Sequence, residues 1–304
     1  MVVLIIGLGS IAKKHIKAIQ IMNPSAYFLA MRNSVEAETV EGVTNIYQWT
    51  EVLVPPDFVI ISNPTKMHKK TISEALTLNR PLFIEKPVVK TWSEANALLT
   101  ETEIQHCPTY VACNLRFHPC LLFLKEQLAT SHIKINEVNV YCGSDLSKWR
   151  PGQDYKKSYS ASAELGGGVH LDLIHEVDYC YWLFGKPQEV ISIKRKVSQL
   201  EIDSIDFAVY HLLYPGFTVN IILNYYRQDA KREIEIITAD CTLQANLLEA
   251  VVVKNGVAVF KSEEFRMENT YLQQMNYFID HIQTKQPMMN NFSEAAEVLK
   301  IATA

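Results

Sequence analysis

The stretch that decides the fold is residues 2–12, which read Val-Val-Leu-Ile-Ile-Gly-Leu-Gly-Ser-Ile-Ala. Its first five residues are all apolar, as is typical of a central parallel strand that is covered on both faces. Gly7 permits a tight turn out of this strand, Gly9 lets a pyrophosphate approach the backbone, and Ala12 allows helix and strand to pack closely. Small residues also cluster in ordinary turns, but the position between an apolar strand and a helix indicates a dinucleotide-binding turn.

Residues 10–22 are predicted to form the helix that follows this turn, and Asn23-Pro24 would end it. The first N–H groups of a helix lack intrahelical partners, and the helix dipole favours anions there. We therefore expect the cofactor phosphates at this helix end. The residues assigned to the phosphates are Gly7, Gly9, Ser10, Ile11 and Ala12.

The end of the second strand, predicted at residues 27–31, decides which dinucleotide binds. An Asp or Glu is expected there when a free ribose 2′-hydroxyl is held, but the sequence reads Met31-Arg32-Asn33-Ser34. Arg32 could bind a 2′-phosphate through two hydrogen bonds, with the Ser34 hydroxyl beside it. Alternatively, Arg32 stacks on the adenine ring and tolerates either cofactor. We favour NADP over NAD, with Arg32, Asn33 and Ser34 in the binding site.

The composition of the 304 residues is that of a globular protein, with 48% hydrophobic and 20% charged residues, and this length suits about two domains. A net charge of −4 and the lack of like-charge runs argue against a nucleic-acid partner. No apolar stretch approaches the roughly 18 residues of a membrane span, and the first strand leaves no room for a signal peptide. We therefore expect a cytoplasmic protein without a membrane partner. Six cysteines without metal-ligand spacing predict neither a disulfide nor a metal site.

Strand and helix patterns alternate from residue 1 to about residue 115, which indicates a doubly wound parallel sheet, the Rossmann arrangement. The expected strands are 2–6, 27–31, 43–46, 58–62, 81–84 and 109–113, and the expected helices lie near 11–22, 47–54, 66–79 and 91–102. From Pro187 to about Phe260, runs rich in Ile, Val, Tyr and Phe predict a large, mostly antiparallel sheet. We expect a Rossmann domain at 1–115 and an α+β domain at 116–304, whose last helix, 293–302, packs back on the first domain.

Loops after the carboxyl ends of parallel strands bind ligands in such sheets. Asn63, Pro64, Thr65 and His68 follow the strand predicted at 58–62 and are candidates to line the cofactor cleft. Turn formation, with Thr65 as a helix N-cap, explains these residues equally well.

A second strong signal is Pro81-Leu82-Phe83-Ile84-Glu85-Lys86-Pro87, in which an apolar strand delivers a Glu-Lys pair to its carboxyl end. Lys86 would project into the cleft of the glycine turn, where its ammonium could stabilise the oxyanion that develops as hydride leaves. We place Glu85 beside the cofactor. As an isolated residue, Lys86 is more simply explained as a solvated charge at a strand end.

Three glycines, Gly166-Gly167-Gly168, open a helix predicted over residues 169–184, which is apolar almost all round and should be buried. Asp172 and His175 are three residues apart, and Glu176 and Tyr179 continue the same polar strip. A polar strip on a buried helix suggests the wall of an active-site cavity. The alternative is a core histidine that a neighbouring carboxylate satisfies.

Together these motifs resemble the glucose-fructose oxidoreductase / inositol 2-dehydrogenase / MocA (Gfo/Idh/MocA) family of NAD(P)-dependent sugar oxidoreductases. The resemblance is carried by Gly7-Leu8-Gly9-Ser10-Ile11-Ala12, Asn63-Pro64-Thr65, Glu85-Lys86-Pro87, Asn114-Leu115-Arg116-Phe117-His118-Pro119, residues 166–172 and Trp182-Leu183-Phe184-Gly185, which span most of the chain. It implies that Lys86, Asp172 and His175 act together in catalysis. In inositol-dehydrogenase-like members the aspartate lies four residues before the histidine, whereas the gap here is three, which leaves the division of roles between Asp172 and His175 open.

The junction and a long loop supply further candidates. The resemblance implies that Asn114 binds the cofactor and that Arg116 and His118, which begin a helix predicted over 116–130, contact the substrate. As isolated residues, Arg116 and His118 are more simply explained as helix-entry contacts. The loop 144–160 has no hydrophobic period, and loops of such length are often functional. Its candidate substrate residues, which could pack on a sugar or pair with a phosphate, are Trp149, Arg150 and Tyr155.

The sequence thus predicts an oxidoreductase that transfers a hydride between NAD(P) and a secondary alcohol or ketone of a sugar or nucleotide sugar. His175 would exchange the hydroxyl proton, Lys86 would stabilise the oxyanion, and Asp172 would orient or charge the pair. The alternatives are an NAD-dependent glycosidase that uses transient oxidation and a non-catalytic dinucleotide-binding sensor. The second sheet exposes more aromatic and branched surface than one helix covers, so we expect a homodimer or homotetramer through it.

Overall fold

The computed structural model describes residues 1–36, 38–101, 104, 106–130 and 134–304. They form two compact units, one made of Met1–Asn114 and Met267–Leu299 and the other of Leu115–Arg266 and Lys300–Ala304. The sequence pattern grouped 116–304 together, whereas 267–299 belongs here to the same unit as the amino-terminal part. In the described ranges, no helix combines the length and the apolar character needed to cross a membrane.

The elements alternate in the first third of the chain and then become mostly strands. The strands are β1 (Val2–Ile6), β2 (Tyr27–Met31), β3 (Val43–Ile46), β4 (Phe58–Ile61), β5 (Leu82–Glu85), β6 (Thr109–Ala112), β7 (Ile135–Gly143), β8 (Glu189–Arg195), β9 (Phe207–Tyr214), β10 (Phe217–Asn224), β11 (Lys231–Thr238), β12 (Thr242–Asn246), β13 (Val251–Lys254) and β14 (Val257–Lys261). The helices are α1 (Ser10–Met22), α2 (His68–Leu76), α3 (Trp92–Leu99), α4 (Pro119–Thr130), α5 (Val169–Asp172), α6 (His175–Phe184), α7 (Met267–Thr284) and α8 (Phe292–Thr303).

The first unit contains a six-stranded sheet in the order β3-β2-β1-β4-β5-β6, and every neighbouring pair is parallel. The predicted doubly wound parallel sheet is confirmed. β1 lies in the middle, where Val3, Leu4 and Ile5 are fully buried because both faces of the sheet are covered. All six strands run in one direction, so the loops that follow them lie at one edge of the sheet.

One helix expected in this unit does not form, and another begins one residue later than expected. The helix predicted near 47–54 is wrong: only the 3₁₀ turn Trp49–Glu51 forms, because Pro55 disfavours helical backbone at the residue before it. α3 begins after Thr91, whose hydroxyl accepts the backbone N–H of Glu94 in a capping box. The last residue of the helix expected over 91–102 lies outside the described residues.

The second unit contains an eight-stranded sheet in the order β14-β13-β12-β11-β7-β10-β9-β8. Its neighbours are antiparallel except β7 and β10, which run parallel. The predicted, mostly antiparallel sheet is confirmed. Val138, Val140, Val219 and Ile221 alternate along the two central strands and are almost fully buried on one face.

The opposite face of this sheet is more open. Ile191 and Ile193 on β8 are 48% and 51% exposed. A ladder of side-chain hydrogen bonds crosses four strands of this face, joining His211 to Asn220 at 2.8 Å, Asn220 to Asn139 at 3.0 Å and Asn139 to Glu235 at 3.2 Å. The face therefore combines apolar side chains with a fixed polar row.

The single helix predicted over 169–184 is wrong. α5 ends at Asp172 and α6 begins at His175, with Leu173 at φ −98° and ψ 33° between them. Leu173 and Ile174 are 6% and 3% exposed, so the apolar pattern continues through the break and gives no signal of it. Asp172 and His175 therefore do not lie on one continuous helix.

Candidate active site

The glycine turn after β1 fits an anionic phosphate. Gly7 has φ +92°, and a Cβ there would lie 2.5 Å from the backbone of Asn63. Gly9 is the N-cap of α1, and a Cβ there would meet no atom within 4 Å. Among the described residues, no side chain caps α1 and no acidic residue lies in its first turn. Open space and uncapped N–H groups therefore coincide at this helix end.

Arg32 is held at the end of β2 by two acceptors. Its Nη1 donates to the Glu38 carbonyl at 2.9 Å and to Asn45 Oδ1 at 3.2 Å. Within the described part of the chain, Nε and Nη2 of Arg32 donate to no protein group, so this side of the guanidinium is open to a ligand. The Ser34 hydroxyl accepts the N–H of Glu36 at 3.1 Å, and Asn33 is exposed.

Asn63 and His68 tie the loop after β4 to the loop after β5. His68 Nε2 lies 2.9 Å from the Asn63 carbonyl, and Nδ1 lies 3.1 Å from the carbonyls of Pro87 and Val88. His68 is 1% exposed, and its burial lowers the pKa of the imidazole. Asn63 Nδ2 donates to the Thr71 hydroxyl at 2.8 Å. These contacts favour the structural interpretation of His68.

Thr65 and Asn114 are two further residues that the sequence predicts to bind the cofactor. Thr65 is the first residue of the 3₁₀ turn Thr65–Met67, whose N-cap is Pro64, so the prediction of Thr65 as an N-cap is wrong. The N-cap of α2 is Met67, because the 3₁₀ turn precedes the helix. Asn114 is 6% exposed and donates through Nδ2 to the Thr270 hydroxyl at 2.7 Å. Contact of Asn114 and Thr65 with the cofactor stays a prediction.

Glu85 is paired with a histidine that the sequence pattern did not single out. Glu85 Oε1 lies 2.6 Å from His15 Nε2 on α1, and both residues are buried. Glu85 Oε2 also accepts the N–H of Lys86 at 3.2 Å. The Lys86–Pro87 peptide bond is cis, and the Lys86 side chain is half-buried. β5 thus carries Lys86 to the same sheet edge as the glycine turn, with Glu85 anchored to His15 on α1.

Arg116 is enclosed in the second unit. Its side chain is fully buried and pairs with Asp178 on α6, with Nε to Oδ2 at 2.9 Å and Nη2 to Oδ1 at 2.7 Å. The helix expected over 116–130 begins later than predicted, at Pro119, after a 3₁₀ turn over Asn114–Phe117. The two parallel hydrogen bonds favour a structural ion pair over substrate contact.

His118 caps α4 from inside the same unit. Its Nδ1 accepts the N–H of Cys120 at 3.2 Å, and its Nε2 lies 3.0 Å from the Leu247 carbonyl. The ring is fully buried and packs on Phe265, with centroids 4.4 Å apart. Burial lowers the pKa of His118 to about 4. The geometry again favours the helix-entry interpretation over substrate contact.

The Asp172 carboxylate is held on both of its oxygens. It is 5% exposed, its Oδ1 accepts the Tyr159 hydroxyl at 2.5 Å, and its Oδ2 accepts the Tyr225 hydroxyl at 2.5 Å. Burial, followed by the nearby carboxylate, raises the pKa of both tyrosines well above its usual range, so both stay protonated donors. His175, at the start of α6, is half-buried three positions later.

Beyond His175, the surroundings of the predicted polar strip favour a structural role over a cavity wall. Glu176 is fully buried and pairs with Arg232 on β11, with Nε to Oε1 at 2.7 Å and Nη2 to Oε2 at 3.3 Å. Tyr179 is also fully buried, and burial raises the pKa of its hydroxyl well above the usual value. Glu176 thus joins α6 to the sheet through Arg232.

The aromatic loop before α5 surrounds the Asp172 network. Trp149 Nε1 donates to the Ser144 hydroxyl at 2.8 Å, and its ring meets Tyr225 edge-on at 5.3 Å. The Arg150 guanidinium lies 5.5 Å from the centre of the Tyr159 ring. Tyr155 accepts the N–H of Glu201 at 3.5 Å. Trp149 and Arg150 thus each contact a tyrosine that donates to Asp172.

Some of the predicted site residues contact one another within a unit, and others belong to different units. Asn63 and Gly7 meet in the first unit, and Trp149 and Arg150 reach the Asp172 network in the second. Lys86 belongs to the first unit, and Asp172 and His175 belong to the second. The partners that periodicity missed are His15, Tyr159, Asp178, Tyr225 and Arg232.

Both halves of the chain match known family descriptions. Residues 1–113 match the oxidoreductase family with an NAD-binding Rossmann fold, and residues 135–244 match the GFO/IDH/MocA C-terminal domain. The chain belongs to the Gfo/Idh/MocA family. This Gfo/Idh/MocA protein belongs to an oxidoreductase family and carries an NAD-binding Rossmann domain, as the sequence predicts.

Relatives of this Gfo/Idh/MocA protein include full-length and partial matches. The uncharacterized oxidoreductase YrbE of Bacillus subtilis (strain 168) is 24% identical, over 99% of this chain and 92% of that protein. The scyllo-inositol 2-dehydrogenase (NAD(+)) of Bacillus subtilis (strain 168) is 26% identical, over 60% of this chain and 53% of that protein. The solved structure of UDP-N-acetylglucosamine 3-dehydrogenase GnnA from Acidithiobacillus ferrooxidans superposes with a TM-score of 0.80 at 19% identity, covering 99% of this chain and 95% of that one. This last likeness is one of fold.

Proposed function

We propose that the protein transfers a hydride between a nicotinamide dinucleotide and a secondary alcohol or ketone of a sugar or nucleotide sugar. The observation that carries the proposal is the buried Asp172 carboxylate, whose two oxygens are fixed by Tyr159 and Tyr225, three residues before a half-buried His175. Among the relatives, an inositol dehydrogenase and a nucleotide-sugar dehydrogenase support this substrate class.

The residues of the glycine turn fit a dinucleotide. Gly7 and Gly9 leave space above the start of α1, where uncapped N–H groups favour a pyrophosphate. The cofactor, when bound, supplies or accepts the hydride. NADP is our preferred cofactor, because Arg32 keeps two nitrogens open to a 2′-phosphate and Arg32-Asn33-Ser34, directly after β2, contains no carboxylate. Ser10, Ile11 and Ala12 would donate backbone N–H groups to the phosphates.

Three side chains of the chain itself would perform the proton and charge chemistry. His175 would take the hydroxyl proton during oxidation and return it during reduction. Lys86 would hold the substrate oxygen with its ammonium and stabilise negative charge there as the C–H bond breaks. Asp172, held by two tyrosines, would supply a fixed negative charge that stabilises His175 once it has taken the proton. We assign proton transfer to the histidine and electrostatic support to the aspartate, because both Asp172 oxygens already accept tyrosine hydroxyls.

We also propose that a second subunit covers the open face of the eight-stranded sheet, giving a homodimer or homotetramer. Ile191 and Ile193 supply exposed apolar area on β8. The His211–Asn220–Asn139–Glu235 ladder supplies a polar row that two copies could meet across. Light scattering of the purified protein would give the oligomeric state, and Ile193→Asp should shift it toward monomer.

The function is tested by following nicotinamide absorbance with a panel of sugars, inositols and nucleotide sugars. Once a substrate is found, Lys86→Ala should keep dinucleotide affinity but lose turnover by about 100-fold or more, because a charged contact to the transition state is gone. Lys70→Ala, which changes an exposed lysine on α2 of the same unit, is the matched control and should turn over normally. Unchanged turnover in Lys86→Ala would remove this residue from the mechanism. Release of a free sugar without net absorbance change would instead identify the glycosidase alternative.

A further inference from the structure

The loop between β7 and α5 encloses a cavity that the proposed mechanism does not use. It contains three 3₁₀ turns, at Leu146–Lys148, Tyr155–Lys157 and Tyr159–Ala161. The cavity has a volume of about 310 Å³, near the lower limit of small-molecule sites, at about 300 Å³. Its lining residues are Leu146, Arg150, Gln153, Asp154, Tyr155, Lys157 and Ser158.

This loop is locally basic in an acidic chain. Residues 146–158 contain four basic side chains and one acidic one, whereas the whole chain has a net charge of −4. Two of the basic residues already have carboxylate partners: Lys148 lies 3.7 Å from Asp145, and Lys156 lies 2.7 Å from Glu201. The other two basic residues line the cavity.

Arg150 and Lys157 are the cations of the cavity. In the described ranges, neither side chain lies within salt-bridge distance of a carboxylate. The single acidic residue of the lining, Asp154, is turned to the backbone, because its Oδ1 accepts the N–H of Lys156 at 3.1 Å as the N-cap of a 3₁₀ turn. With Asp154 counted, the lining carries two cations and one carboxylate, a net charge of +1.

The cavity also adjoins the carboxylate of the candidate site. Arg150 lies 5.5 Å from the centre of the Tyr159 ring, and the hydroxyl of that ring donates to Asp172. The Tyr159 ring is 38% exposed, whereas its hydroxyl end is enclosed beside Asp172. One aromatic ring thus separates the basic cavity from Asp172, and both lie in the second unit.

We propose that this cavity binds an anionic group, a phosphate or a carboxylate, with Arg150 and Lys157 as its ligands. Arg150 presents a planar fork that suits either oxyanion, and Lys157 adds a mobile point charge. The volume accommodates such a group with part of a sugar rather than a whole nucleotide. Resting on the proposed function, the inference is that the sugar substrate carries a negative charge.

The test measures binding by calorimetry at low salt, with the dinucleotide already saturating so that the glycine turn is occupied. The probes are inorganic pyrophosphate, glucuronate and uncharged glucose. Pyrophosphate or glucuronate should bind, and Arg150→Gln or Lys157→Gln should weaken binding about tenfold or more. Lys148→Gln removes a charge from the same loop outside the cavity and should bind like the wild type.

The probes separate the two sources of the anion. Tighter binding of pyrophosphate points to a phosphorylated or nucleotide-linked sugar, and tighter binding of glucuronate points to a sugar acid; either result supports the cavity. Absence of binding by both anions, or equal losses in Lys148→Gln and Lys157→Gln, would overturn it. Lys157→Gln keeps the test valid if Arg150→Gln disturbs Tyr159. The calorimetric test does not depend on turnover. Anion binding in calorimetry, together with no hydride transfer in the absorbance panel, would therefore refute the proposed function and leave the cavity proposal standing.

Discussion

Acidifying the protein from about pH 7 to about pH 5 should cost about 2 kcal/mol of folding stability through His118 alone. The ring is fully buried, its Nδ1 accepts an N–H from Cys120, and burial lowers its pKa from 6.5 to about 4. In this window the unfolded chain binds a proton that the folded chain does not. Stability contributed by the neutral ring is therefore present above about pH 6.5 and is lost as the pH falls toward about 4.

The magnitude follows from the two pKa values. At about pH 5 the unfolded imidazole is almost fully protonated and the folded one almost fully neutral, which gives a ratio of about 30 in the folding equilibrium, or about 2 kcal/mol. Chemical unfolding at both pH values should show this loss of stability in the wild type. In His118→Asn the loss should be about 2 kcal/mol smaller, because asparagine has no ionisable group. Asparagine can still cap α4, so the variant should fold.

Histidine NMR gives the direct check. The resonance that disappears in His118→Asn should titrate near pH 4. A titration near pH 6.5, or an unchanged pH dependence of unfolding in the variant, would refute the reasoning. If a substrate is found, His118→Asn should also leave KM within about twofold, since the ring is engaged by Cys120 and Leu247.

Three substitutions test other parts of the structure. Arg116→Ala should lower unfolding stability by about 3–5 kcal/mol because Asp178 stays buried without its partner; a loss below about 1 kcal/mol in urea unfolding would contradict the pair. Gly7→Ala should abolish dinucleotide binding in calorimetry, since its Cβ would meet Asn63 at 2.5 Å and φ is +92°. Arg32→Ala should weaken NADP about tenfold more than NAD; equal losses would mean that Arg32 stacks on adenine.

The first sheet was predictable because its strands are short, apolar and regularly separated by helices. Val2–Ile6 has no polar residue, and only a strand covered on both faces tolerates this pattern. The break between Asp172 and His175 was not predictable in the same way, because Leu173 and Ile174 keep the apolar pattern intact. Periodicity detects which residues are buried but not where a buried helix is interrupted.

The partners of the candidate site were less accessible to sequence reasoning than its members. Lys86 and Asp172 stand in recognisable motifs, whereas Tyr225 reaches Asp172 across 53 positions and His15 reaches Glu85 across 70. Such contacts depend on how elements pack, and no local pattern encodes them. Arg116 shows the converse case: a charged residue beside a motif suggested a ligand, whereas its pairing with Asp178 favours a structural role.

The return of residues 267–299 to the amino-terminal unit has a consequence for the order of events during synthesis. Phe278 of α7 packs edge-on against Phe58 and Phe83, so these core rings stay uncovered until the ribosome has made most of the chain. The first unit to emerge is therefore among the last to be completed. A fragment that stops near residue 115 would display this aromatic surface permanently and should aggregate.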